Sequence, residues 1–561
     1  MRSIKRVPSS AEGYAIRQMK HFRVLLKPDG KQISIHEGAT LVDAASQAGI
    51  ILNSVCGGRG TCRKCTVYVE PDNRKVLACQ YRIETDLTVT IPPGSRLFEQ
   101  RILAEGVESA GKIRPDVFQE YSQACSGAVL GVAVDLGTTT VVAKLIDMTT
   151  GKCLATEAAL NPQTRFGDDV VSRIAYAETA DKAAELHNTI VDCLNDLIEK
   201  LCRSAGAETD QVCEVCIVGN TTMSHIFLEL PVSQLGQAPY EAYSLDAHDL
   251  PGADSALSIN PAGNIHTVEN IAGFVGSDTT AVALATDMDS ADKMTLIVDV
   301  GTNGELVLGT KDKLYAASCA AGPAFEGARI SRGGRAVDGA IEAVLINDDD
   351  IGLDVIGGGI PRSICGSGLI DAVAVLLELG VIDQTGRFAD RAQLSEQLPP
   401  AIVSRIVDRN GQPAFRLASA ESADEQPVLL TQRDIRETQL AKAAIRAGIR
   451  LLQQKAGLDD SDIEQVLLAG AFGNYIRARS ALRTGLLPAV EPERIHFVGN
   501  AASSGAEMIL ISRDCRRRAC ELARRIEYVE IAHQPNFHDV FAVPSRHRKR
   551  DRFLSAAIRR E

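Results

Sequence analysis

Cys56, Cys62, Cys65 and Cys79 follow the spacing C-x5-C-x2-C-x13-C, within C-G-G-R-G-T-C-R-K-C and a closing L-A-C. Three thiolates on one tight loop and a fourth from a neighbouring strand give each of two irons a pair of sulfurs, the all-cysteine ligation of a [2Fe-2S] cluster. Gly57, Gly58 and Gly60 let the backbone wrap close and aim N–H groups at the sulfurs. Zinc also takes four cysteines, but its ribbons favour two separated C-x2-C knuckles over one dense loop. Cys213 and Cys216, in the apolar run Val212 to Val218, and Cys515 and Cys520, flanking Arg516 to Arg518, lack partners for a second cluster and read as core thiols.

A second chemistry is carried by a repeated loop. V-D-L-G-T-T-T at Val134 to Thr140 is answered by V-D-V-G-T-N-G-E at Val298 to Glu305, each directly after an apolar strand. Gly137 and Gly301 allow close backbone approach, Thr138 and Thr302 add hydroxyls, and the amides make an anion nest suited to phosphate. Thr139 and Thr140 complete the first loop, and Asn303, Gly304 and Glu305 the second. Asp135 and Asp299, at the strand ends, are placed to hold Mg2+ through water and to orient an attacking water. V-L-L-A-G-A-F-G at Val466 to Gly473 is a third strand ending in a glycine turn, where Gly470, Ala471 and Gly473 leave room for adenosine. Gly366 and Ser367, in I-C-G-S-G-L-I-D, either approach the nucleotide or close a helix start.

These residues need elements to position them. From Phe22 the pattern is that of a small β-rich domain: a strand, a Pro28-Asp29-Gly30 turn, and Ile33 alternating with Ile35. Thr40 as N-cap, with Asp43 three residues on, opens a short helix that Gly49 ends. Beyond a segment without sustained alternation, Val129 to Val134, Val141 to Met148 and Cys153 to Ala159 read as strands. Leu186, Ile190, Leu194, Leu197 and Leu201 then take helical spacing. Strands followed by helices, with the strand-Asp-x-Gly-Thr unit present twice, predict a duplicated two-lobed α/β fold. The expected division is an N-terminal tail 1–20, a cluster domain 21–97, a linker 98–128, a first lobe 129–210 carrying the first phosphate loop, a C-terminal domain 211–545 carrying the second loop and the adenosine turn, and a basic tail 546–561.

Composition narrows the function. A formal net charge of -12 and a hydrophobic share of 45% describe an ordinary globular chain and disfavour a nucleic-acid binder, which needs a basic footprint. No stretch offers the ~18 continuous apolar residues of a membrane span, and the first twenty residues hold no apolar h-region. The expectation is a cytoplasmic protein with reduced thiols, binding neither nucleic acid nor membrane.

The short final cysteine spacing resembles ferredoxin domains built into larger redox enzymes, with a β-grasp, α+β fold. The order phosphate-1, phosphate-2, adenosine, from about Gly131 to Ala506, resembles the actin, sugar kinase and heat-shock chaperone ATPase superfamily. That match makes Gly276-Ser277-Asp278-Thr279-Thr280-Ala281 its first connecting segment, with Asp278 either orienting water or capping a helix. The fusion of the two modules resembles the reductive activators of corrinoid proteins, as do N-P-Q-T-R-F-G-D-D-V-V-S-R-I at Asn161 to Ile174, G-N-T-T-M-S-H at Gly219 to His225, and P-N-F at Pro535 to Phe537. The resemblance implies a [2Fe-2S] cluster, ATP and Mg2+ as cofactors. It also implies a low-potential donor of ferredoxin or flavodoxin type, a corrinoid protein whose Co(II) is returned to Co(I) for methyl transfer, and a homodimer. Within it, Phe166 to Arg173 either docks the partner or packs the lobes, and Met223 and His225 are either cobalt ligands or core. Rival readings keep ATP-driven electron transfer with another acceptor, as in activators of radical dehydratases, or make the chain a redox-gated ATP-binding regulator.

Overall fold

The computed structural model describes residues 20–28, 30–48, 50, 52, 60, 65–92, 95, 113–121, 128–347, 349–420, 426–470, 476–531, 534 and 537–542. The chain divides into two compact units, Met1–Phe98 and Glu99–Glu561.

Among the described residues the first unit is one five-stranded sheet and a helix. Strands β1 (His21–Lys27), β2 (Lys31–His36), β3 (Thr66–Val69), β4 (Arg74–Leu77) and β5 (Leu87–Thr90) take the order β2-β1-β5-β3-β4. Only β1 and β5 are parallel among these pairs, the β-grasp arrangement. The helix Leu41–Gln47 starts at a reciprocal cap: Thr40 N donates to Asp43 Oδ2 at 2.8 Å and Asp43 N to Thr40 Oγ1 at 3.2 Å. Val24, Leu26, Leu41, Val67, Ile83 and Val89 form the core beneath it.

The second unit holds two six-stranded sheets. In the first, β6 (Leu130–Leu136), β7 (Thr140–Asp147), β8 (Lys152–Leu160), β9 (Val212–Gly219), β10 (His248–Pro251) and β11 (Asn264–Thr267) run in the order β10-β11-β9-β6-β7-β8. The second sheet begins with β12 (Thr295–Val300), β13 (Gly304–Thr310) and β14 (Lys313–Cys319). Between β14 and its remaining strands lie two small sheets, β15 (Ala340–Ile346), β16 (Ile351–Val355) and β17 (Ser363–Ile364), then β18 (Ile406–Arg409), β19 (Gln412–Ala418) and β20 (Val428–Thr431). It finishes with β21 (Gln465–Ala469), β22 (Ile495–Gly499) and β23 (Ile526–Tyr528), giving β22-β21-β12-β13-β14-β23. Each sheet has the same kernel: the strand bearing the Asp-x-Gly-Thr loop pairs antiparallel with the next strand and parallel with a later one. Strands β6 and β12 are buried on both faces, as their unbroken apolar runs require.

The helices Ser277–Ala285, Ala501–Ile511 and Arg513–Arg525 share one apolar cluster with residues of both sheets, including Ala133 and Cys216 of the first and Ile297 and Leu467 of the second. Among the described residues no helix is long and apolar enough to cross a membrane.

Two expected boundaries move. The division at 210/211 cuts through the first sheet, because β9 pairs parallel with β6 after crossing over through the helix Ala180–Ala205. Part of the expected linker is core: Val117 and Tyr121 are buried against the helices between the sheets, and Asp116 N donates to Ile511 O at 3.0 Å. The tails 1–19 and 546–561 and the motif residues Pro535 and Asn536 lie outside the described residues. Cys213 is buried as expected but is disulfide-bonded, against the expectation of reduced thiols.

Candidate functional site

In the first unit, Cys65 ends the loop before β3 and Cys79 follows β4. Pairing of these antiparallel strands brings the two buried sulfurs to 3.3 Å with no disulfide between them. Two thiols left unbridged and turned toward each other are a fit for a pair of ligands on one iron. Cys56 and Cys62 lie outside the described residues, as do Gly57 and Gly58.

In the second unit the two phosphate loops meet. Thr139 Oγ1 and Thr302 Oγ1 are 3.4 Å apart, and both hydroxyls donate to Glu326, Thr139 at 3.4 Å and Thr302 at shorter range. Each loop is a tight cradle. A Cβ on Gly137 would stand 2.5 Å from Thr140 O, and Gly301 N donates to Asn303 O at 3.0 Å.

The first loop is braced from behind. Asn161 and Asn220 each cap a short helix with the side-chain oxygen and use the amide on the loop, Asn161 Nδ2 to Gly137 O at 2.9 Å and Asn220 Nδ2 to Thr138 Oγ1 at 2.8 Å. Arg173 is wholly buried and donates to Thr138 O, Gly167 O, Gln163 Oε1 and Met223 Sδ. Burial pulls its guanidinium down to about 9 against the charges of Asp168, Asp169 and Glu326. Of the two readings of Phe166 to Arg173, lobe packing therefore holds for Arg173, which offers nothing to an external surface. His225 is also internal, its Nδ1 toward Thr221 O at 2.7 Å and its Nε2 accepting from Ser244 N at 3.3 Å, so neither ring nitrogen is left for cobalt.

Asp135, Asp278 and Asp299 come together at the loop mouths, half-buried and within one another's field. Burial pushes Asp135 up to about 6, opposed by a hydrogen bond from Asn500 Nδ2 at 2.9 Å and by the nearby Lys144 ammonium. Burial and the neighbouring carboxylates raise Asp278 and Asp299 to about 7, and Glu305 well above its ordinary range. Asp278 is not the N-cap of its helix; Gly276 is, and Asp278 sits in the first turn, accepting from Thr279 N at 2.7 Å. Gly470, at φ +89°, keeps space for the cluster, since a Cβ there would lie 2.4 Å from Asp299 Oδ1. Ala471 and Gly473 lie outside the described residues. Among the described residues no three acidic, histidine or cysteine side chains close on a bare ion.

Gly366 and Ser367 begin the helix Gly366–Leu379, buried, with Ser367 Oγ donating to Glu342 O at 2.9 Å; the helix-start reading accounts for both. Asn500, Glu326 and Lys144 were not legible as site residues. Asn500 does carry a local signal, an Asn directly before the small-residue helix Ala501–Ile511, which it caps. Its second bond gives a prediction. Asn500→Ser and Asn500→Ala should both move the acid limb of ATP hydrolysis upward in pH, because the lost hydrogen bond favoured ionised Asp135. Only the alanine variant should also lose about 1 kcal/mol of stability, since serine still caps. A pH profile of kcat beside thermal melts checks both.

Three family models match the chain: a 2Fe-2S iron-sulfur cluster binding domain over residues 25–84, the RACo middle region over 130–291, and the C-terminal domain of RACo, the ASKHA domain, over 293–553. The corrinoid activation enzyme RamQ of Eubacterium limosum is 34% identical over 92% of this chain and 98% of its own length. The [Co(II) methylated amine-specific corrinoid protein] reductase of Methanosarcina barkeri is 24% identical over 73% of this chain and 76% of its own. A solved structure described as a reductive activator for corrinoid, iron-sulfur protein superposes with a TM-score of 0.68 at 33% identity, covering 95% of this chain and 99% of that one.

Proposed function

The chain belongs to the RACo family of corrinoid-protein activators, and from that premise we propose that it is an ATP-dependent reductive activator returning the Co(II) of a corrinoid protein to Co(I). The observation that carries this reading is the meeting of two phosphate loops with three aspartates raised above their ordinary range, in a chain whose other unit brings two cysteine sulfurs to 3.3 Å. Cys56, Cys62, Cys65 and Cys79 hold the cluster, which when bound supplies one-electron storage. A donor of ferredoxin or flavodoxin type fills it, and the working assembly is a homodimer.

The residues of the second unit handle the energy input. Thr138, Thr139, Thr302 and the loop amides bind the phosphates, Gly470 leaves space beside the adenosine, and Asp135, Asp278 and Asp299 position Mg2+ through water and orient the attacking water. Co(I) is a strong reductant, and each ~59 mV of uphill potential costs a factor of ten in a one-electron equilibrium. ATP offsets that only where the protein's affinity for the two oxidation states of its partner differs between nucleotide states.

The test is anaerobic spectroscopy of a Co(II) corrinoid protein with this chain and a low-potential reductant. Co(I) absorption should grow only when Mg-ATP is present. ATP hydrolysis with cobalt left as Co(II) for every corrinoid protein tried would point instead to another acceptor.

A further inference from the structure

The segment between β14 and β15 crosses itself. Gly327, at φ +79°, and Gly333 and Gly334 pack backbone on backbone: a Cβ on Gly327 would stand 2.4 Å from Gly334 O, and one on Gly333 would stand 2.2 Å from Gly327 O. No side chain fits at that crossing, and the residues flanking it, Glu326 and Arg335, are held on the two strands of the crossing chain. Gly322 N donates to Thr302 O at 3.1 Å, tying the segment to the second phosphate loop.

Glu326 takes the hydroxyls of Thr139 and Thr302, one from each phosphate loop. Arg335 feels the charges of Glu326 and Asp168, and its Nη1 is shielded from solvent with no hydrogen-bond partner among the described residues. Two hydroxyl donors and a guanidinium N–H to spare are what a phosphoryl oxygen would use, with Glu326 the anion that it displaces from the hydroxyls. A buried unmet donor of this kind costs free energy that a ligand can recover.

We propose that Glu326 and Arg335 read the terminal phosphate of ATP, Glu326 yielding the Thr139 and Thr302 hydroxyls to it while Arg335 donates its spare N–H. This rests on the reading of the paired loops as the ATP site. Discrimination between ATP and ADP then comes from a group that one nucleotide carries and the other lacks.

The full chain is titrated by calorimetry with ADP and with the non-hydrolysable triphosphate AMPPNP, both with Mg2+. Arg335→Ala should weaken AMPPNP by about tenfold or more and leave ADP within about twofold. Glu326→Gln, which keeps an acceptor for the threonines but removes the competing charge, should strengthen AMPPNP several-fold without moving ADP. Equal weakening of both nucleotides by Arg335→Ala, no change in AMPPNP, or weaker AMPPNP with Glu326→Gln overturns the proposal. Where Arg335→Ala does not fold, the Glu326→Gln comparison decides alone. A wild-type chain that binds neither nucleotide would bring down the ATP-site reading itself, a result distinct from all of these.

Discussion

Asp299→Asn should lower ATP hydrolysis by about a hundredfold or more, yet make the nucleotide-free protein harder to unfold at pH 8. The first effect follows from losing a carboxylate that positions the cation and the attacking water. The second follows from the surroundings of Asp299, where burial first and the charges of Asp278 and Asp135 next raise it to about 7. An unfolded aspartate ionises near 4, so between pH 4 and 7 the folded state binds more protons than the unfolded one, and stability falls as pH rises through that window. Above pH 7 the whole penalty is present; below pH 4 it is absent. The amide carries no charge, so the melting temperature of the variant should exceed that of the wild type at pH 8 and converge with it toward pH 4. Saturating Mg-ATP should narrow the gap at pH 8, because only in the wild type is there an Asp299 charge for the cation to compensate. A variant that lost activity and melted lower at every pH would make Asp299 a structural residue.

Cys65→Ser should abolish cobalt reduction and leave nucleotide hydrolysis close to wild type. Soft thiolate is the ligand iron-sulfur clusters take, and a serine hydroxyl in a buried position replaces it poorly. Cys65 is fully buried, 3.3 Å from the Cys79 sulfur, within the first unit, whereas the phosphate loops belong to the second. The checks are visible absorption, iron and sulfide content per chain, and phosphate release measured separately. Hydrolysis that collapsed together with the iron content would show that nucleotide turnover depends on an intact cluster.

Much of this was written in local pattern. The Thr40–Asp43 cap, the 3.6-residue spacing from Leu186 to Leu201 and the two strand-Asp-x-Gly-Thr units are short-range signals, and each led to the element observed. What escaped depends on long closure. Asn500 meets Asp135 across 365 residues, and Glu326 and Arg335 are assembled by a glycine crossing with no periodicity to betray it. The boundary at 210 failed for a more instructive reason. A strand, a long helix and another apolar strand form a crossover unit, and such units return to the same sheet. That rule joins β9 to β6 and leaves no boundary at 210.

Two helices begin at the aspartate cluster, Ser277–Ala285 with Asp278 in its first turn and Ala501–Ile511 just after Asn500. Their backbones touch where a Cβ on Gly505 would lie 2.2 Å from Ala281 O. With so little clearance they cannot slide independently. They pack as one pair among the residues joining the two sheets, with both positive ends facing the carboxylates. A shift of either N-terminus should therefore be shared by the other, so the two helices hold the carboxylates at one fixed spacing.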